Sequence, residues 1–251
     1  VNENLAKEAA TFTETTFIED LETIVKISDT LFLTVPDDLI TTVWNQMKDM
    51  SLEGKFICHC SGALSAGDAF PGIDKCGAFG YSVHPLFAVS DKYNSYKELS
   101  HAYFVIEGDE KHREEIAGIF NNLGNEVRYI AAKDKVKYHC AAAVCSNHVV
   151  ALIQESLDLM QECGFDEESA LKALAPIMLG NMQHIAERGT VNSLTGPVER
   201  ADVKTVEKHL NCLDEKQQMI YRLLSEVLIS IGEKKNPGRD YGRLKHILGN
   251  E

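Results

Sequence analysis

Leu31 to Val35, LFLTV, is a continuous apolar run stopped by Pro36, and it restricts the fold more than any other short stretch. A run with no polar face suits a strand buried on both sides in a parallel sheet. Proline cannot donate to a ladder, so the strand ends there. Upstream, the pattern predicts a helix from Asn4 to about Phe12, and a second from an Asp20 N-cap to Ser28. Downstream, Asp37 or Asp38 is placed to cap the helix LITTVWNQMKDM. The strand-like segments FICHC, AFGYSVHP, HAYFVIEG and EVRYIA follow, with a helix at about Glu110 to Asn122 before the last. Such alternation argues for an α/β fold of βα units in a doubly wound sheet.

After about Ala131 the pattern becomes wholly helical. One stretch runs from Asp134 to Gly164, a C-cap glycine, and a second from Asp166 to Gly189, with Pro176 and Gly180 placed to bend it. Two more helices follow, in RADVKTVEKHLNCL and DEKQQMIYRLLSEVLISIGEKK. The expected division is an α/β domain over residues 1–131 and an all-helical domain over 132–251.

The triplet Cys58-His59-Cys60 offers three metal ligands in a row. On a strand, neighbouring side chains face opposite ways, so the two thiols and the imidazole cannot close on one ion. No Cys-x-x-Cys occurs in the chain, and the expectation is no metal, with the thiols packed in the core. Seven cysteines without framework spacing suit reduced thiols in a cytoplasm. A net charge of −13 disfavours nucleic acid as a partner. Runs such as LFLTV and VLISI fall far short of the ~20 apolar residues that span a bilayer, so no membrane partner is expected.

In open parallel sheets, ligands bind beyond the carboxyl ends of the strands. Two strands end suggestively there, with Thr34, Pro36 and Asp37 after the first and His59, Ser61 and Gly62 after the second. Gly62 permits close backbone approach, and Ser61 offers a hydroxyl and nearby N–H donors. The same residues read equally as a strand-ending proline and a chain turn. His84 stands before a proline, which holds it extended, and its imidazole can shuttle a proton or simply bond a loop. On the long helix, at ~100° per residue, Lys135, His139, Ser146 and Asn147 share one stripe, either lining a groove or packing on the small residues between them. Arg200, just before a helix starting near Asp202, suits a carboxylate or phosphate, or a plain surface.

The motifs LFLTVPDDLI, CHCSGALS, SVHPLF, FVIEGDE, KYHCAAAVCSNHVVAL and LTGPVERADVKTVEKHL, in this order, resemble a family of Rossmann-like candidate NADP-dependent oxidoreductases. Their C-terminal helical domain is catalogued only as a domain of unknown function. More distantly the plan is similar to prephenate dehydrogenase, pyrroline-5-carboxylate reductase and ketopantoate reductase. The resemblance implies NADP, with NAD as the alternative, near Thr34, Val35, Pro36 and Asp37 at the ribose and pyrophosphate, and near His59, Ser61 and Gly62 at the nicotinamide. It implies His139, His84, Asn147 and Arg200 facing a small-molecule carbonyl or imine substrate, with His139 as first choice of proton donor and His84 as second. It also implies a homodimer through the helical domain. A non-catalytic dinucleotide- or ligand-binding scaffold of the same fold is the other expectation.

Two departures stand out. The family's usual Arg-Gly-Asp is Arg200-Ala201-Asp202 here, and no Gly-x-Gly-x-x-Gly occurs among the 251 residues. ENLAKEAATF matches the helix after the second strand of the resemblance, so the expectation is that the sheet's first strands and glycine loop precede Val1.

Overall fold

A computed structural model describes residues 3–249. The chain divides into two compact units, Val1–Val149 and Val150–Glu251.

In the first unit, helices α1 (Glu3–Phe12) and α2 (Leu21–Ile27) precede strand β1 (Thr30–Leu33). Asp20 caps α2 as its composition predicts, accepting a bond from the Thr23 amide at 2.7 Å. Helix α3 (Asp37–Met47) then leads to strand β2 (Phe56–His59) and the single-turn helix α4 (Ala66–Ala69). Strand β3 (Phe79–Leu86), strand β4 (Tyr103–Gly108), helix α5 (Arg113–Asn121) and strand β5 (Val127–Tyr129) complete the α/β part. Pro36, not Asp37 or Asp38, holds the N-cap position of α3, and both aspartates lie in the first turn, where a carboxylate meets the positive helix end. The buried face of α3 is Ile40, Trp44 and Met47, at helical spacing. Burying side chains of this size contributes about 1.5–3 kcal/mol each. Trp44 keeps its indole N–H satisfied by donating to the Pro71 carbonyl at 3.1 Å.

The sheet has the order β1-β2-β3-β4-β5. β1, β2 and β3 pair in parallel, β3 and β4 antiparallel, and β4 and β5 in parallel. The antiparallel step departs from an all-parallel winding because a 3-10 turn over Ser95–His101, rather than a crossover helix, joins β3 to β4. β1 is an edge, and Phe32 is 38 % exposed, so this strand is not buried on both faces as its apolar run suggests. Among the described residues no strand pairs with its outer side. Alternation along β2 is as expected. Cys58 packs with Tyr81, Val83 and Ile106, while the His59 ring meets Phe70 on the other face, centroids 5.4 Å apart.

The first unit continues beyond Ala131, the expected division, through helix α6 (Lys135–Cys145), because the side chain of Lys135 is buried against the strand ends. The expected single long helix is two. Ser146, at φ −113° and ψ −71°, separates α6 from helix α7 (Asn147–Glu162). By length and composition alone Ala132–Glu162 is apolar enough to cross a bilayer, contrary to the reading from short runs. Lys135 at its start is instead fixed to the sheet.

The second unit holds most of α7 and helices α8 (Glu167–Ser193), α9 (Val203–Cys212), α10 (Glu215–Lys235) and α11 (Gly242–Leu248). Within α8 the backbone leaves helical geometry at Gly189 (φ 74°), where the sequence pattern ends the helix, and Pro176 lies inside it. Asp214 and Gln217 close a capping box on α10. Val206, Leu210, Ile229 and Leu244 form the core of α9, α10 and α11. The loop before α9 is tied down by Glu199, whose carboxylate accepts from Asn236 at 2.7 Å and pairs with Arg239 at 2.8 Å. Within it Ala201 has φ 58°, a left-handed conformation that costs an alanine about 1 kcal/mol. Ala201→Gly is therefore expected to stabilise the protein by about 0.5–1 kcal/mol, read as a higher urea midpoint; a lower midpoint would mean that the methyl group packs usefully.

Candidate active site

The sheet register puts Leu33, His59, Ser82 and Glu107 in one row across four strands. Three of these four are polar, and all three are buried. Polar groups persist there only with partners. Glu107 accepts from the Ala66 amide at 2.8 Å, and Ser82 donates to the Ser61 carbonyl at 3.0 Å. Lys135, at the start of α6 and 1 % exposed, lies over the row and donates to the Ser61 carbonyl at 3.0 Å and to the Ser82 hydroxyl. Ser61 Oγ bonds Asp37 at 2.5 Å and accepts from the Leu64 amide at 3.1 Å. The turn after β2 is thus held from three sides.

The electrostatics follow from burial. Desolvation lowers Lys135 to about 8, opposed by the nearby carboxylates of Glu107 and Asp37. Burial raises Glu107 above the usual carboxylate range, with the Ala66 amide and Lys135 working against it. His59 falls to about 4, first through burial and then through the Lys135 charge. Its Nδ1 accepts from the Ser61 amide at 3.1 Å. His59 has no exposed surface and sits beneath the turn that follows β2.

Above the turn two other histidines converge. A β-carbon at Gly62 would fall 2.9 Å from His84 Nε2 and nearer still to His139 Nδ1, so only glycine lets both rings settle there. The two ring centroids are 5.9 Å apart. His84 Nδ1 shares a 2.7 Å hydrogen bond with the Tyr138 hydroxyl. Burial, then the charge of Lys135, lowers His84 to about 4, so its imidazole is neutral at physiological pH. Burial pushes the Tyr138 phenol up to about 12. These rings border a cavity of about 440 Å³ whose remaining walls include Leu86, Phe87, Ala142, Ser146 and Asn147.

His84, His139, Asn147 and Gly62 therefore come together, and Asp37, Ser61 and His59 form their support. Thr34 and Pro36 lie exposed at the end of β1, with Val35 half-buried between them. Arg200 is exposed in the loop before α9, in the second unit. Asp202 caps α9, accepting from the Thr205 amide at 3.1 Å. Glu107, Ser82 and Tyr138 escape a reading by motif. The one local signal was a carboxylate inside an otherwise apolar strand, VIEG. Among the described residues no three His, Cys, Asp or Glu side chains are grouped to share a metal ion.

A profile for a domain of unknown function, DUF2520, matches residues 102–228, just over half of the 251. The chain belongs to the DUF2520 family. The matched stretch starts at β4 and takes in α6, and with it Glu107, Lys135, Tyr138 and His139 of the site. Among solved structures, this DUF2520 chain is similar to a Thermotoga maritima protein at 26 % identity, covering 94 % of this chain and 89 % of that one with a TM-score of 0.75. A candidate NADP oxidoreductase from Bacteroides fragilis shares 17 % identity over 92 % and 86 % of the two chains, TM-score 0.68. Pyrroline carboxylate reductase from Plasmodium falciparum, solved with NADP bound, shares 14 % over 89 % and 82 %, TM-score 0.56. The last two likenesses show the fold, a Rossmann-like sheet followed by helices. No curated protein matches the sequence.

Proposed function

We infer that this DUF2520 protein is an oxidoreductase that moves hydride between a nicotinamide dinucleotide and a small carbonyl or imine compound. The observation that carries the reading is the convergence of His84 and His139 over Gly62 at the strand ends, on a fold shared with a reductase solved with NADP bound. The residues present fit part of such a cofactor. Exposed Thr34 and Pro36 form a ledge at the end of β1, and Gly62, at the end of β2, lies buried under the His84 and His139 rings that border the cavity. A glycine-rich cradle for the pyrophosphate is not among the 251 residues. NADP is the cofactor proposed, with NAD as the alternative.

Bound there, a nicotinamide dinucleotide supplies or takes the hydride. The chain's own task is to orient the acceptor group and manage one proton. His139, exposed on α6, donates that proton to the oxygen or nitrogen being reduced and recovers it in the reverse direction. Asn147 positions the group from the start of α7. Fluorescence titration of NADPH into the full-length protein is expected to show binding at micromolar protein, and its absence would sink the reading. With turnover established, His139→Ala is expected to lower it about 10²-fold or more; an unchanged rate removes His139 from proton transfer. Cofactor binding without oxidation or reduction across ketones, keto acids and imines would favour a non-catalytic binding protein instead.

A homodimer belongs to the same proposal. Met219, Leu223 and Val227, each about 60 % exposed, stand four residues apart along α10, an apolar stripe that a second copy would cover. Light scattering at twice the chain mass supports it, and the monomer mass counts against it.

A further inference from the structure

The cavity beside His84 and His139 carries information about what it holds. Leu86, Phe87 and Ala142 give it aliphatic and aromatic walls, and its volume of about 440 Å³ lies within the range of small-molecule pockets. The polar groups on its lining are a phenol, two imidazoles, a hydroxyl, a thiol and a carboxamide. Lys135, buried at the start of α6, does not line it. The ammonium lies beneath the turn, donating to the Ser61 carbonyl and the Ser82 hydroxyl. An anionic group entering this space would lose its water against apolar walls and meet no lysine or arginine among the described residues that line it. Leaving a carboxylate or phosphate so placed costs several kcal/mol.

We propose that this cavity selects an uncharged ligand, an apolar ketone and the alcohol it interconverts with, whose oxygen is held by the His84–Tyr138 pair. A neutral imidazole has two tautomers, and the 2.7 Å bond between His84 Nδ1 and the Tyr138 hydroxyl serves both. With the proton on Nδ1, His84 donates to the phenol oxygen, and the phenol O–H is free to donate to a ketone oxygen. With the proton on Nε2, the phenol donates to Nδ1, and the phenol oxygen is free to accept from an alcohol. The pair thus matches either member of the ketone–alcohol couple without a change of charge. Burial favours this arrangement, since it keeps His84 neutral well below pH 7. The reduction itself rests on the oxidoreductase reading above; the binding preference does not.

The test compares two probes of nearly the same shape, phenylacetone and phenylpyruvate, in which a methyl group replaces a carboxylate. Each is titrated into the full-length protein at pH 8, and the imidazole signals of His84 and His139 are followed by NMR. Phenylacetone is expected to shift both and to bind at least about tenfold more tightly than phenylpyruvate, and Tyr138→Phe to weaken phenylacetone about tenfold. Equal or tighter binding of phenylpyruvate overturns the proposal, and so does the lack of any shift with phenylacetone at millimolar concentration. Phenylacetone binding in a protein that never takes NADPH upholds the pocket assignment and sinks the oxidoreductase reading alone. NADPH binding with phenylacetone excluded does the reverse.

Discussion

Gly108→Ala is expected to cost about 3–5 kcal/mol and to leave the protein largely unfolded at modest urea concentrations. Gly108 ends β4 opposite Tyr81 of β3. Its φ of 143° is one that L side chains rarely adopt. The space a β-carbon would need is already taken by the Gly80 carbonyl oxygen, and the Tyr81 Cα would be 2.9 Å away. Both obstacles are backbone of the partner strand, so no rotamer change relieves them. The Gly80 oxygen also accepts from the Asp109 amide at 3.1 Å, so moving it would break the bond that ends the pairing. Gly124→Ala is the control. Gly124 also has a positive φ, 90°, but nothing lies within 4 Å of the position its β-carbon would take. That variant is expected to lose only about 1 kcal/mol, the conformational cost alone. Equal urea midpoints for the two variants would show that the β3–β4 edge yields, and that the clash is not what holds glycine there.

The order of strands and helices was readable because each depends on its own residues. The LFLTV run, the Asp20 cap and the Gly164 stop (φ 92°) each act within a few positions of themselves. The errors arose where a neighbour decides the outcome. Phe32 belongs to an apolar run, yet it is 38 % exposed on β1, the outermost strand among the described residues, and strand order is a property of the sheet and not of the run. β4 looks like any other strand in sequence, and only its pairing reveals that it runs antiparallel to β3. The helical periodicity through Lys135, His139 and Ser146 was sound, but it could not locate the break at Ser146. The site divides in the same way. His84 and His139 stand out through residue type and local setting, and the structure brings them together. Glu107, Ser82 and Tyr138 matter through cross-strand register and one side-chain bond, which no spacing along the chain encodes. Lys135 was visible on the right stripe, yet its destination beneath the turn was not.

Lys135→Met is expected to leave stability near its original value or to raise it, while turnover falls about 10²-fold or more. The folded state holds Lys135 at about 8, where an ordinary lysine has 10.5. Burial thus disfavours its charge by about 3 kcal/mol, and methionine fills a similar volume without that cost. What is lost is positioning. The bonds to the Ser61 carbonyl and the Ser82 hydroxyl disappear, and the turn carrying Gly62 beneath His84 and His139 is freed on one side. Two titrations separate this from a merely structural role. First, the Lys135 charge helps to hold His59 and His84 near 4, so both should move upward in the variant, as NMR of the imidazole signals would read. Second, between pH 8 and 10.5 the unfolded chain keeps a proton on Lys135 that the folded protein has released. Wild-type stability therefore gains from this residue as pH rises through that window. The gain must be absent from Lys135→Met, so the difference in urea midpoint between the two proteins should shift in favour of the wild type from pH 7 to pH 10. If the histidines titrate unchanged and the difference does not move, Lys135 is a packing residue and the buried polar row has no hold on the site.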